Sequence, residues 1–337
     1  MDAKLQAKCD LLAENYQTVQ SSAKLDAPEA ACLGALIYTS ANAQANEAEI
    51  RANRALLREK VSVVNNLRGY VNVALLSKMS LSENAEAYLD NVITVYNLLK
   101  QGHLYRDEYE ALAATSIVDF AQPSQYAAVA QHTQDIIKKM KETHPIITDT
   151  QDTTVAALLA MSDLDIEATL DKADACYQAL KDDHFKWAKN DLQCICMILA
   201  LNNMSVQEGC ERFRTMRQTL KESGSKMYTN YLPILAALVD TNVSPAQIAQ
   251  DIKEAEGYLK GKKGFGGIFG VGKQMRMVLS AAVLLQTINE AMGKTGIAQA
   301  SSNALATVIT EQVIMAIVLF LVMSSFIVHN SATSTTV

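Results

Sequence analysis

Met204–Asp240 reads MSVQEGCERFRTMRQTLKESGSKMYTNYLPILAALVD. Ser205 and Glu208 have capping-box spacing, which satisfies the first free amides of a helix from both directions. Val206, Cys210, Phe213, Met216 and Leu220 follow at steps of four, three, three and four, so they line one face of an α-helix. Lys221 complements the negative end of that helix, and Gly224 breaks it. A second helix is predicted from about Leu232, with Pro233 in its first turn and Leu235, Leu238 and Val239 on its apolar side. The stretch is an αα-hairpin.

The end of the first helix recurs as Leu99-Lys100, Met140-Lys141, Leu180-Lys181, Leu220-Lys221 and Leu259-Lys260. Subtracting successive lysine positions gives steps of 41, 40, 40 and 39. Ser80/Glu83, Ser162/Asp165, Ser205/Glu208 and Ser244/Gln247 repeat the helix-start signal. Apolar second helices recur from Ala74, Val155, Cys196 and Ile234. A period near 40 falls at the short end of the HEAT and armadillo range. One such hairpin cannot bury its own apolar face, so neighbours must stack. The predicted fold is therefore all-α: about six stacked αα-hairpins in a HEAT-like or related α-solenoid, ending in a long apolar C-terminal helix. The alternative is a helical bundle without repeats.

Working outward, residues 1–60 read as an N-terminal helical cap, with Leu5, Cys9, Leu12 and Tyr16 on one face of its first helix. Hairpins occupy 61–259. Residues 260–272, KGKKGFGGIFGVG, form the one Gly-rich run, and 273–328 read as a C-terminal helical pair. That pair includes 312–328, seventeen residues without a charge, near the lower length limit for crossing a membrane. Residues 329–337 are small and polar and are expected to be disordered.

Composition narrows the function. Only 14 Gly and 5 Pro argue against a turn-rich β fold, and a net charge of −6 gives no basic footprint for nucleic acid. Six cysteines lack disulfide-scaffold spacing, and no secretory signal opens the chain, so reduced thiols in the cytoplasm are expected. Cys194 and Cys196 point apart on one helix and read as small core residues rather than metal ligands. No catalytic set, metal site or cofactor is predicted.

Two weaker patterns remain. Gly267–Lys273 fits G-x-x-x-x-G-K, the loop that cradles phosphates. Gln274 stands where the metal-binding hydroxyl belongs, and no strand precedes the loop, so a turned linker is the simpler reading. Gly267, Gly270, Gly272 and Lys273 are the candidate anion-binding residues. His103, His144 and His184 each lie three residues after the recurring lysine. They are candidates for a loop ridge, with capping of the preceding helix as the simpler role.

The runs Lys263–Gly267 (KGFGG) and Gly272–Gln274 (GKQ), the N-terminal KLQAKCDLLAENY and the loops MSLSE, MSDLD and MSVQE resemble a bacterial family of low-GC Gram-positive organisms, defined only as a domain of unknown function. The resemblance spans nearly the whole chain and implies no activity, cofactor or catalytic residue. The expected function is a non-enzymatic helical-repeat scaffold for a protein partner in the cytoplasm. The alternatives are a scaffold held at the membrane's cytoplasmic face, or self-associated, through 312–328, and an enzyme or binder of a phosphorylated ligand at the Gly-rich loop.

Overall fold

The computed structural model describes residues 1–23, 28–69, 71–101, 108–143, 152–183, 189–267 and 270–292. Fourteen α-helices and no strand lie among them. Seven are amphipathic: α1 (Ala3–Ala23), α3 (Glu47–Lys60), α5 (Ala85–Leu99), α7 (Tyr126–Thr143), α9 (Ile166–Leu180), α11 (Val206–Glu222) and α13 (Pro245–Lys260). They alternate with α2 (Pro28–Ser40), α4 (Asn72–Leu81), α6 (Glu108–Phe120), α8 (Asp152–Ala160), α10 (Lys189–Ala200), α12 (Pro233–Ala237) and α14 (Lys273–Ala291).

Burial separates the two sets. An odd-numbered helix buries one stripe, as in α11 with Cys210, Phe213, Met216 and Leu220. An even-numbered helix is enclosed on nearly every side: Asp152–Leu159 of α8, Tyr109–Ile117 of α6 and Met275–Thr287 of α14 are buried without interruption. A helix covered all round tolerates small and apolar residues at every position, which is why these segments lack the polar face of the others. The odd helices form an outer layer and the even helices an inner one.

Each outer helix packs on the inner helix that follows it. Outer helices also touch outer neighbours, and inner helices inner neighbours. The last pair closes on the first: α14 packs on α1 and α2, and α13 on α1. An open stack has two free ends. Here the described helices pair into seven hairpins, one more than the spacing of the lysines suggests, and the last lies against the first. The successive pairs α7/α9 and α8/α10 make fewer close approaches than the other neighbouring pairs, so the circuit has a loose seam there.

The helix starts explain the spacing. Asn46, Asn84, Asp165, Ser205 and Ser244 are N-caps whose side chains accept from amides of the first turn. Ser205 and Glu208 form the full capping box that their spacing predicts. Ser80 and Ser162 do not cap. Ser80 lies in the last turn of α4, and its hydroxyl donates to the Leu76 carbonyl. Asn84 and Asp165 take the role because their carboxamide and carboxylate reach Ala87 and Ala168 N–H at 3.0 Å. Gly224, with φ of 84°, ends α11 as expected, and Ser225 N–H returns to the Leu220 carbonyl.

No described helix is long and apolar enough to cross a membrane. The segment 312–328, the tail 329–337, and His103, His144 and His184 lie outside the described residues.

Candidate functional site

Two regions depart from regular hairpin packing. The first is the Gly-rich connection between α13 and α14. Gly264 and Gly267 have φ of 86° and 81°, which L side chains rarely adopt. At Gly264 the backbone also lies against the Tyr16 ring, 2.5 Å from where a Cβ would sit. At Gly270 a Cβ would meet the Gly266 carbonyl oxygen at 2.3 Å, so the loop folds tightly on itself. Phe265 is fully buried, and its ring centroid lies 4.7 Å from that of Tyr16 on α1.

Two cations of this region, Lys262 and Arg276, are committed to packing. Arg276 in α14 is buried and pairs with Glu256 of α13. Its Nη1 donates to the carbonyls of Phe265 (2.8 Å) and Val271 (2.6 Å). The carbonyls thus converge on a guanidinium, whereas a phosphate cradle needs convergent amides. Val271 N–H bonds the Gly264 carbonyl within the loop. Gln274, in the place of the metal-binding hydroxyl, bonds Tyr228 N–H and the Lys226 carbonyl of the neighbouring hairpin. Gly272 and Lys273 are exposed at the start of α14.

Lys262 completes a clasp across the closure of the circuit. Its ammonium lies 2.5 Å from Asp10 of α1 and 4.4 Å above the centre of the Tyr258 ring, while Tyr258 donates to Asp10 at 2.8 Å. Burial alone would raise the Asp10 pKa; the hydrogen bonds from Lys262 and Tyr258 outweigh it and hold the carboxyl below its usual value. The Asp10 contact in turn raises the Lys262 ammonium. Lys8 joins Glu290 at 2.6 Å, and the Met1 amino group joins Glu254.

The second region is the loose seam. A cavity of about 380 Å³ opens between α7, α9 and α10. Met140, Leu170, Tyr177 and Met197 supply apolar wall, and Lys139, Glu167, Asp171 and Asp174 charge. Lys139 of α7 pairs with Glu167 of α9 across the seam. A buried hydrogen bond also crosses it, from Gln193 Nε2 of α10 to Asp152 Oδ2 of α8 at 3.1 Å. The Gln193 side chain thus turns its nitrogen to Asp152. Gln193 is 7% exposed, and its Oε1 has no hydrogen-bond partner among the described residues. Nothing in the spacing of the sequence marks this site, because α7 of one hairpin meets α9 and α10 of the next only through folding.

Cys196 also lines the cavity, and burial pushes its thiol well above the ordinary range. Behind it, Cys176 and Cys210 hydrogen-bond each other on α9 and α11. Cys194 is half-buried. Cys176, Cys196 and Cys210 are thus packed in the core, while Cys194 lies at its edge. Among the described residues no cluster of His, Cys, Asp or Glu has the arrangement of a metal site.

The described residues thus form a wholly helical protein with a tight clasp at its closure and a cavity at its seam. The sequence matches a family described as "Protein of unknown function (DUF4003)" over residues 15–317, and the chain belongs to that family. No curated protein and no solved structure matches it.

Proposed function

We propose that the chain is a non-enzymatic helical-repeat scaffold that holds a protein partner in the cytoplasm. The repeat is the αα-hairpin with its period near 40. The N-caps Asn46, Asn84, Asp165, Ser205 and Ser244, at steps of 38, 81, 40 and 39, support that reading, the second step covering two hairpins. A concave face of second helices is a poor candidate surface, because those helices are enclosed. The rim of outer-to-inner connections suits a partner better.

One observation carries this choice. Val63 and Val64, in the connection between α3 and α4, are 75% and 72% exposed. Tyr228, in the equivalent connection between α11 and α12, is also exposed. Each hairpin reverses the chain, so these connections share one rim. Adjacent exposed valines gain by burial against a partner, at ~25 cal/mol per Å² of apolar surface. The test is affinity capture from lysate with the intact chain and with Val63→Asp/Val64→Asp. A protein captured in stoichiometric amount by the native chain and lost from the double variant, with helicity unchanged, is the expected result. Capture indifferent to the valines overturns the rim as the docking surface.

A further inference from the structure

We infer that the rim around Tyr228 is a docking surface for an acidic segment of a protein partner, its carboxylates held by Lys221, Lys226, Lys260, Lys263 and Lys273. This rests on the scaffold reading and names the chemistry of its partner.

The first observation is charge, gathered by the fold. Residues 221–232 and 260–274 hold six lysines, no exposed arginine and a single acidic residue, Glu222, in a chain whose net charge is −6. Lys262 is spent on Asp10. The other five lysines are exposed, and none of them ion-pairs with a described residue. Gln274, next to Lys273, bonds the Lys226 carbonyl and the Tyr228 N–H, which brings the two stretches side by side. Ser225 N–H returns to the Leu220 carbonyl and keeps Lys226 near Lys221. The Lys260 carbonyl lies against Gly266, and Val271 N–H bonds the Gly264 carbonyl, so Lys260 and Lys263 belong to the compact turn that leads to Lys273.

The second observation is that folding does not account for these charges. Lys221 and Lys260 complement the C-terminal ends of α11 and α13. Lys273 does the reverse: it opens α14, where the helix dipole repels a cation, and Gly272 before it brings no side-chain cap. Lys226 and Lys263 lie outside the helices. Like charges gathered in this way repel one another, and an anion seated among them relieves that repulsion.

The third observation is the kind of cation. Phosphates invite the planar fork of arginine, which grips two oxygens at once. The one arginine of these stretches, Arg276 just beyond them, is buried on Glu256. Lysines act as point charges, which suffices for carboxylates spread along a chain and favours a protein over nucleic acid or phospholipid headgroups. Tyr228 is 60% exposed and is the one large apolar side chain shown to solvent here among the described residues. A single aromatic anchor seats one apolar residue of a peptide, whereas lying in a bilayer takes a whole apolar face.

The experiment is fluorescence anisotropy of the full chain with a labelled peptide of glutamates around one tryptophan. A glutamine version of the peptide, phosphatidylserine vesicles and single-stranded DNA serve as comparison probes. Saturable binding of the acidic peptide at about 0.15 M salt, where separated surface charges are already screened, is expected, with none of the glutamine version. Lys226→Glu/Lys263→Glu should weaken it about tenfold or more, with helicity unchanged. Lys253→Glu, at an exposed position midway along α13, should leave it as it was. Tyr228→Ser should weaken the tryptophan peptide and not one made of glutamate alone. No saturable binding, equal losses in Lys253→Glu and Lys226→Glu/Lys263→Glu, or tighter binding of vesicles or DNA than of the peptide overturns the inference. Capture from lysate that is lost in Val63→Asp/Val64→Asp but kept in Lys226→Glu/Lys263→Glu overturns it too, and leaves the scaffold reading standing.

Discussion

Gly264 and Gly267 share a left-handed backbone and differ in what surrounds them. At Gly264 a side chain would meet the Tyr16 ring, while at Gly267 no described residue lies within 4 Å. Gly267→Ala should therefore cost only the backbone penalty, about 1–2 kcal/mol. Gly264→Ala adds displacement of Tyr16 from Phe265 and should cost about 1–3 kcal/mol more. Chemical denaturation of both variants separates the two contributions, and equal losses would refute the Tyr16 contact. Asp191, in the first turn of α10, gives a pH signature. Burial pushes its carboxyl from 3.8 up to about 6. The native state then holds a proton that the unfolded chain has released between those values, so stability falls as pH rises through that window. The contribution is full below about pH 4 and lost above about 6. Asp191→Asn should gain on the native chain as pH rises through that window, and parallel pH profiles would contradict the assignment. At this scale the sequence showed that glycine was needed in 260–272, but not which glycine met a neighbour. That depends on Tyr16, which belongs to the first helix of the chain.

Helix starts are the next level. Asp165 caps α9 and Ser205 caps α11, each accepting from the third residue beyond it. Asp165→Ala and Ser205→Ala should each cost about 1 kcal/mol, read from unfolding midpoints, and Ser162→Ala much less. Comparable losses at Ser162 and Asp165 would restore the serine as cap. The outer helices were legible because a single stripe imposes its period on the sequence, as Val206 to Leu220 illustrates. The inner helices were legible only as apolar recurrences, since enclosure removes the polar face that marks a boundary. Two caps were misread because Ser, Asn and Asp crowd the short turns: Ser80, Ser82 and Asn84 all precede α5, and only geometry chooses among them. The buried contact between Lys78 of α4 and Asp119 of α6, with Tyr88 of α5 donating to the same carboxylate, ties three helices and left no periodic trace.

For the whole molecule, closure is the property that pairwise spacing could not announce. It depends on the small rotation between successive hairpins, which sequence period does not encode. The lysine spacing was correct locally and silent about whether the path returns. The clasp of Tyr16–Phe265, Asp10–Lys262 and Lys8–Glu290 joins the first helix to the last hairpin. Phe265→Ala should therefore raise hydrogen exchange in α1 and α14 together, while helices opposite, such as α7, change less. Faster exchange confined to the α13–α14 connection would mean that the clasp does not hold the circuit. The cavity is equally a whole-molecule feature, since it exists where one junction of the circuit is looser. The closed path also fixes how many units the chain can hold. A linear array gains or loses a unit with little disturbance, because only its end moves. Here the last hairpin packs on the first, so a duplicated or deleted unit would disturb the contact of Tyr16 with Phe265. Copy number is thus a geometric invariant of this protein, and change among its relatives should accumulate in loops and outer faces rather than in the number of hairpins.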